Sequence, residues 1–251
     1  MTTTMTGAAA YALRLGDDAL VLAQRLSEWS SRAPELEEDV ALTNIALDLL
    51  GQARTLLTHA GELEGAGRDE DDLAYLREER AFTNLQMVEQ PRGDFAVTIA
   101  RQLLFSTYQH LLYQALRSST DEVLAAVAAK AVKEVAYHVD HAEQWTLRLG
   151  DGTAESHERM QAGLDAMWPF VDELFETDDL VRSLAGVAVD PATLRDEWDR
   201  RIDAVLNEAT LARPASTWTA RGGREGIHSE HLGYLLAELQ HLHRSHPGAS
   251  W

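Results

Sequence analysis

Residues 131–145, AVKEVAYHVDHAEQW, decide how the rest of the chain is read. The stretch holds no proline or glycine, and Val132, Val135, Val139 and Ala142 recur at helical spacing along one side. A step of about 100° per residue places His138 roughly 40° to one side of Glu134 and His141 roughly 20° to the other. Lys130 and Trp145 extend the same polar stripe. The helix therefore has an apolar face for packing and a carboxylate–imidazole face that raises the question of a metal.

A second stretch repeats the arrangement. In ALTNIALDLLGQARTLLTHA, residues 41–60, Asn44, Asp48, Gln52, Thr55 and His59 lie within roughly 40° of one line. Leucine, isoleucine and alanine fill the other side, with few lysines or glutamates around the polar line. Asp17, Gln24 and Glu28 form a shorter stripe near the start, and Ser106 and His110 stand four residues apart further on. Buried polar stripes must be paired, since an unmatched buried group costs about 1–3 kcal/mol. Carboxylates facing Arg54, Lys130 or histidine would meet that demand.

The whole chain reads as helix. Alanine, leucine, glutamate and arginine dominate, prolines number six, and alternating β-branched runs are scarce. The pattern predicts helices over 8–30, 35–61, 70–88, 93–117, 120–149, 153–175, 190–211 and 228–245. Asp94 and the Asp190–Pro191 pair mark starts, a serine or threonine in SSTDEVL marks another, and glycine in RLGDG marks an end. No Pro/Gly-rich linker separates two halves, so a single domain over 1–251 is expected, with an irregular loop at about 212–227 before the last helix.

Composition excludes several function classes. A formal charge of −19 leaves no basic stripe for a phosphate backbone, so nucleic acid is not an expected partner. Cysteine is absent, which removes disulfides, thiolate ligands and cysteine nucleophiles and suits a cytoplasmic location. The N-terminal residues lack a signal-peptide pattern, and no apolar run is long enough to span a membrane. No phosphate-binding glycine loop, nucleophile elbow or HExxH motif occurs.

A di-iron bundle site asks for one glutamate from each of two helices and Glu-x-x-His from each of two others. At that spacing Asp48 is followed by Gly51 and Glu134 by Tyr137, so neither pair supplies the imidazole. The expected outcome is a bundle whose polar stripes carry no metal: Glu28, Asn44, Asp48, Gln52, His110, Glu134, Tyr137, His138 and His141 form either a vestigial site or a buried polar network. In TARGGREGIHSEH, Arg221 and Arg224 are the one local cluster of positive charge. Together with His228, Glu230 and His231 they are candidates to touch a partner or a coenzyme A moiety.

The segments YALRLGDDALVLAQRLSEWSSRAPELEEDVALTNIALDLLGQARTLLTHAGELEG, EERAFTNLQMVEQPRGDFAVTIARQ, AAKAVKEVAYHVDHAEQWTLRLGDGT and GGREGIHSEHLGYLLAELQ resemble the subunits of the ring-1,2-phenylacetyl-CoA epoxidases, and among them the C-type subunit. The resemblance runs from about residue 8 to the last residue. It implies an all-α, ferritin-like helical bundle with additional helices. It also implies a non-catalytic structural role beside a homologous A subunit, which holds the di-iron centre, in a heterodimer assembled into a higher oligomer with other epoxidase components. Such complexes epoxidise the ring of phenylacetyl-CoA with O₂ and electrons from NADPH through a separate reductase. On that reading this chain has no cofactor of its own, and Asp48/Gly51 and Glu134/Tyr137 stand where the two Glu-x-x-His pairs would be. An independently active di-iron oxygenase or oxidase is the competing expectation, and a stand-alone helical binding protein a third.

Overall fold

The computed structural model describes residues 7–249, and all regular structure among them is helical. The chain divides into two compact units where the sequence suggested one domain: residues 1–91 with 222–251, and residues 92–221.

The first unit is built on a long antiparallel pair, α1 (Gly7–Ser27) and α2 (Leu36–Glu64). Leu42, Ile45, Leu49 and Leu56 of α2 are wholly buried, as are Ala12, Ala19, Val21 and Leu26 of α1. At about 1.5–3 kcal/mol for each large apolar side chain, this seam is the main stabilising element of the unit. Gly65, in the left-handed region at φ 66°, ends α2 by donating its N–H to the Gly61 carbonyl. Short helices α3 (Glu70–Tyr75) and α4 (Gln86–Glu89), and the 16-residue α10 (Glu230–Ser245), complete the unit.

The second unit pairs α5 (Phe95–Leu116) with α6 (Glu122–Gly150), and α7 (Ala154–Met167) packs on both. The approach of α7 to α5 requires Gly163, because a Cβ there would come within 2.9 Å of the Ala96 carbonyl oxygen. The five-residue α8 (Asp179–Ser183) and then α9 (Arg195–Glu208) follow. The Trp198 indole N–H donates to the Leu104 carbonyl at 2.9 Å and fixes α9 against α5.

Most helix limits fall within a few residues of the sequence expectation, and the exceptions have causes. The cap of α6 is Asp121 rather than a serine or threonine; its carboxylate accepts from the amides of Val123 and Leu124, both at 3.0 Å. The helix expected over 153–175 stops at Met167, and two 3₁₀ turns, the first containing Pro169, replace the rest. The helix expected over 70–88 breaks after Tyr75. Beyond it, the amides of Thr83 and Leu85 donate to Asp17 (2.9 Å) and Asp18 (2.8 Å) instead of to helical carbonyls.

Candidate functional site

Adjacent aspartates in the middle of α1, Asp17 and Asp18, are 0% and 3% exposed. An unpaired buried carboxylate would cost several kcal/mol, so each recruits a cation from a different segment. The Arg77 guanidinium forms a two-pronged pair with Asp17, one prong at 3.0 Å, and stacks 4.0 Å above the Phe82 ring. Arg224 forks onto Asp18 at 2.8 and 3.1 Å and also donates to the carbonyls of Thr83 (2.9 Å) and Arg14 (3.3 Å). Burial pushes the Asp18 carboxyl above its usual range, while Arg224 and the Leu85 amide pull the other way.

A third carboxylate, Glu89 on α4, is equally enclosed. Its Oε2 accepts from His228 Nδ1 at 2.8 Å and Asn84 Nδ2 at 2.9 Å, and its Oε1 from the Ser229 amide at 2.6 Å. The other ring nitrogen of His228 faces the Phe82 carbonyl at 2.9 Å. An acceptor at each ring nitrogen favours the doubly protonated, charged ring. Burial alone lowers the pKa of His228, but the hydrogen bond and charge of Glu89, the Phe82 carbonyl and the charge of Glu79 together raise it above the ordinary histidine value. Arg25 adds a last clamp, donating to the carbonyls of Glu89 (3.0 and 2.8 Å) and His231 (3.1 Å) and pairing with Glu28 at 2.6 Å.

These groups do one thing chemically. They neutralise one another and bind segments 77–89 and 224–231 onto α1. The close fit is visible at Gly226, where a Cβ would stand 2.3 Å from the Arg80 carbonyl oxygen and φ is +73°.

The residues singled out from the sequence are distributed differently from the expectation. The stripe on α2 is not continuously buried: Gln52 and His59 are enclosed, Asp48 is half-buried, and Asn44 and Thr55 face solvent. The helix is rotated so that leucines share its outer side. Lys130 does not meet a buried carboxylate; it pairs with half-buried Glu134 at 3.1 Å and is itself exposed. Arg54 likewise pairs at the surface, with Glu70. His110 is half-buried on α5 with its Nδ1 3.3 Å from Arg201, and burial followed by the arginine charge lowers its pKa.

The register proposed for the lost ligands is also corrected. Gly51 is exposed, with nothing within 4 Å of where a Cβ would be, and Tyr137 is 51% exposed. A histidine at either position would point outward. The enclosed i, i+3 pair on α6 is instead His138 and His141, 1% and 8% exposed, one turn on from Glu134. Among the described residues, no three histidine, aspartate or glutamate side chains gather closely enough to hold a metal ion.

Arg224 and His228, two of the candidates for a partner or coenzyme A contact, pair with Asp18 and Glu89. Both are held inside the first unit, whereas Arg221 belongs to the second, 71% exposed and 3.2 Å from Glu176. Glu230 is exposed at the start of α10, and half-buried His231 contributes its carbonyl to Arg25. Sequence reading missed Asp18, Arg25, Arg77, Asn84 and Glu89. The available signal was Asp17–Asp18, two adjacent acids flanked by LRLG and ALVL, which demand cations from elsewhere.

Long paired helices enclose polar side chains, and with no strand among the described residues the protein is all-α, as in the ferritin-like class to which its family belongs. The family model described as phenylacetic acid catabolic protein matches residues 1–251, and the chain belongs to that family. It is 52% identical over 244 residues to the C subunit of the 1,2-phenylacetyl-CoA epoxidase of Escherichia coli strain K12, covering 96% of this chain and 98% of that one. Among the described residues, no helix is long and apolar enough to cross a membrane.

Proposed function

We propose that this chain is the non-catalytic C-type subunit of a phenylacetyl-CoA 1,2-epoxidase, binding and stabilising a homologous A subunit that carries the di-iron centre. The identity with an epoxidase C subunit over nearly both whole chains supports the assignment to that complex. The observation that carries the non-catalytic role is the use made of three of the buried carboxylates. Asp17, Asp18 and Glu89 are matched by Arg77, Arg224 and His228 of the same unit, leaving them committed to folding. In this proposal the A subunit supplies the oxygen chemistry, and NADPH reaches it through a separate reductase.

The test is to purify the chain alone and together with its A subunit, load both with ferrous iron anaerobically, and measure bound iron and, with the reductase and NADPH supplied, O₂-dependent turnover of phenylacetyl-CoA. The chain alone should bind no stoichiometric iron and turn nothing over, and the pair should do both. Two tightly held irons in the chain alone would overturn the reading in favour of an independent di-iron oxygenase.

A further inference from the structure

The outer face of α2 is apolar. Leu36, Val40, Leu47 and Leu50 are 77%, 54%, 58% and 46% exposed, and at positions i, i+4, i+11 and i+14 they fall within about 80° of one another. The opposite face of the same helix is already packed, so the stripe is a second seam rather than a displaced core. A solvated helix places charge there instead.

The stripe spans about 21 Å along the helix. At a helix width of about 10 Å it offers roughly 200 Å², well below the ~800 Å² per partner of a stable interface. It does not stop at Leu50, however. Leu50 lines a cleft of about 340 Å³ together with Leu57 and Tyr75. Tyr75 and Asp71 are shared with a second cleft of about 370 Å³ whose far wall is Leu239 and Leu242 of α10. The continuous surface thus runs from α2 across α3 to α10, within one unit.

Charge selects the occupant. The stripe begins beside exposed Glu35 and Glu37, and its clefts hold Glu70 and exposed Asp71, with Arg54 already paired to Glu70. A second copy of this chain, packed antiparallel on the stripe, would set these two acidic ends against each other on molecules each carrying a formal −19. Like charges juxtaposed in this way cost several kcal/mol. We infer that this α2–α3–α10 surface receives a different protein chain, one that presents an apolar helical ridge flanked by lysine or arginine. This rests on the reading of the chain as a subunit, and assigns the docking of the A subunit to that surface.

The test uses the full chain. Leu47→Glu with Leu50→Glu changes only partly exposed side chains, and Asp71→Lys reverses the charge between the clefts. Sedimentation of the wild-type chain alone should show a monomer, and the mixture with its A subunit a heteromer. The double variant should weaken that heteromer by about 100-fold or more, the loss of a hot spot or two, and Asp71→Lys by about 10-fold at low salt. Circular dichroism and thermal midpoint of the isolated variants should match wild type, which separates a docking effect from misfolding. A wild-type homodimer dissolved by the double substitution would overturn the inference in favour of a second copy. Unchanged affinity in the double variant would overturn it while leaving the subunit reading intact. Failure of the wild-type chain to join any A subunit would overturn both.

Discussion

Replacing Glu89 with glutamine tests the buried network with almost no change in shape. The carboxylate accepts from three donors, two on Oε2 and one on Oε1. An amide oxygen can replace only one of those two atoms. In the better orientation it keeps His228 and Asn84 and turns its own N–H₂ group toward the Ser229 amide, donor against donor. Such an unsatisfied contact costs about 1–3 kcal/mol, and removing one charge of a buried pair costs about 3–5 kcal/mol. These losses overlap, so the expected destabilisation is about 4 kcal/mol, read as a fall in thermal midpoint of roughly 8–16 °C for a chain of this size. The pH dependence gives an independent check. The folded chain holds the His228 proton more tightly than the unfolded chain does. The pair's contribution is therefore complete below the unfolded histidine value of about 6.5, and is lost as pH rises through the raised folded one. The gap between wild type and Glu89→Gln should be widest near pH 6 and narrow on the alkaline side. Urea unfolding at several pH values measures it. A gap below about 1 kcal/mol at pH 6, or one that widens with pH, would refute the account of Glu89 and His228.

Two further substitutions separate buried from exposed polar residues. Arg224→Ala strands the buried Asp18 carboxylate and should cost about 3–5 kcal/mol in chemical denaturation, whereas Arg221→Ala, at an exposed surface pair, should stay within about 0.5 kcal/mol. Asp48→Ala should cost no more than about 1 kcal/mol in the same assay, because its side chain is only half-buried on α2.

Helix content and the long helices were legible because local signals and packing agree there: Asp94 caps α5, and an uninterrupted apolar face marks α6. The 76–85 segment was not, since LREERAFTNL is acceptable helix in isolation and only the carboxylates on α1 draw its amides away. The polar stripes show the limit of periodicity. It says which residues share a side, and the rotation of the helix decides whether that side faces in. On α2 the leucines at 36, 47 and 50 face outward, so Asn44 does too, and of the polar stripe only Gln52 and His59 are enclosed. Arg224 and His228 were legible as a cluster but not as a clamp, because their partners lie far away in the sequence.

The first unit is interrupted in sequence by the whole of residues 92–221. During translation, at roughly 5–20 residues per second, the ribosome needs about 6–26 s to make that intervening stretch. Through that interval Asp18 and Glu89 have been synthesised and the cations that neutralise them have not. The ion pairs that enclose Asp18 on α1 and Glu89 on α4 therefore form only after that whole stretch has been made. The order of synthesis thereby ties completion of the first unit to prior production of the second.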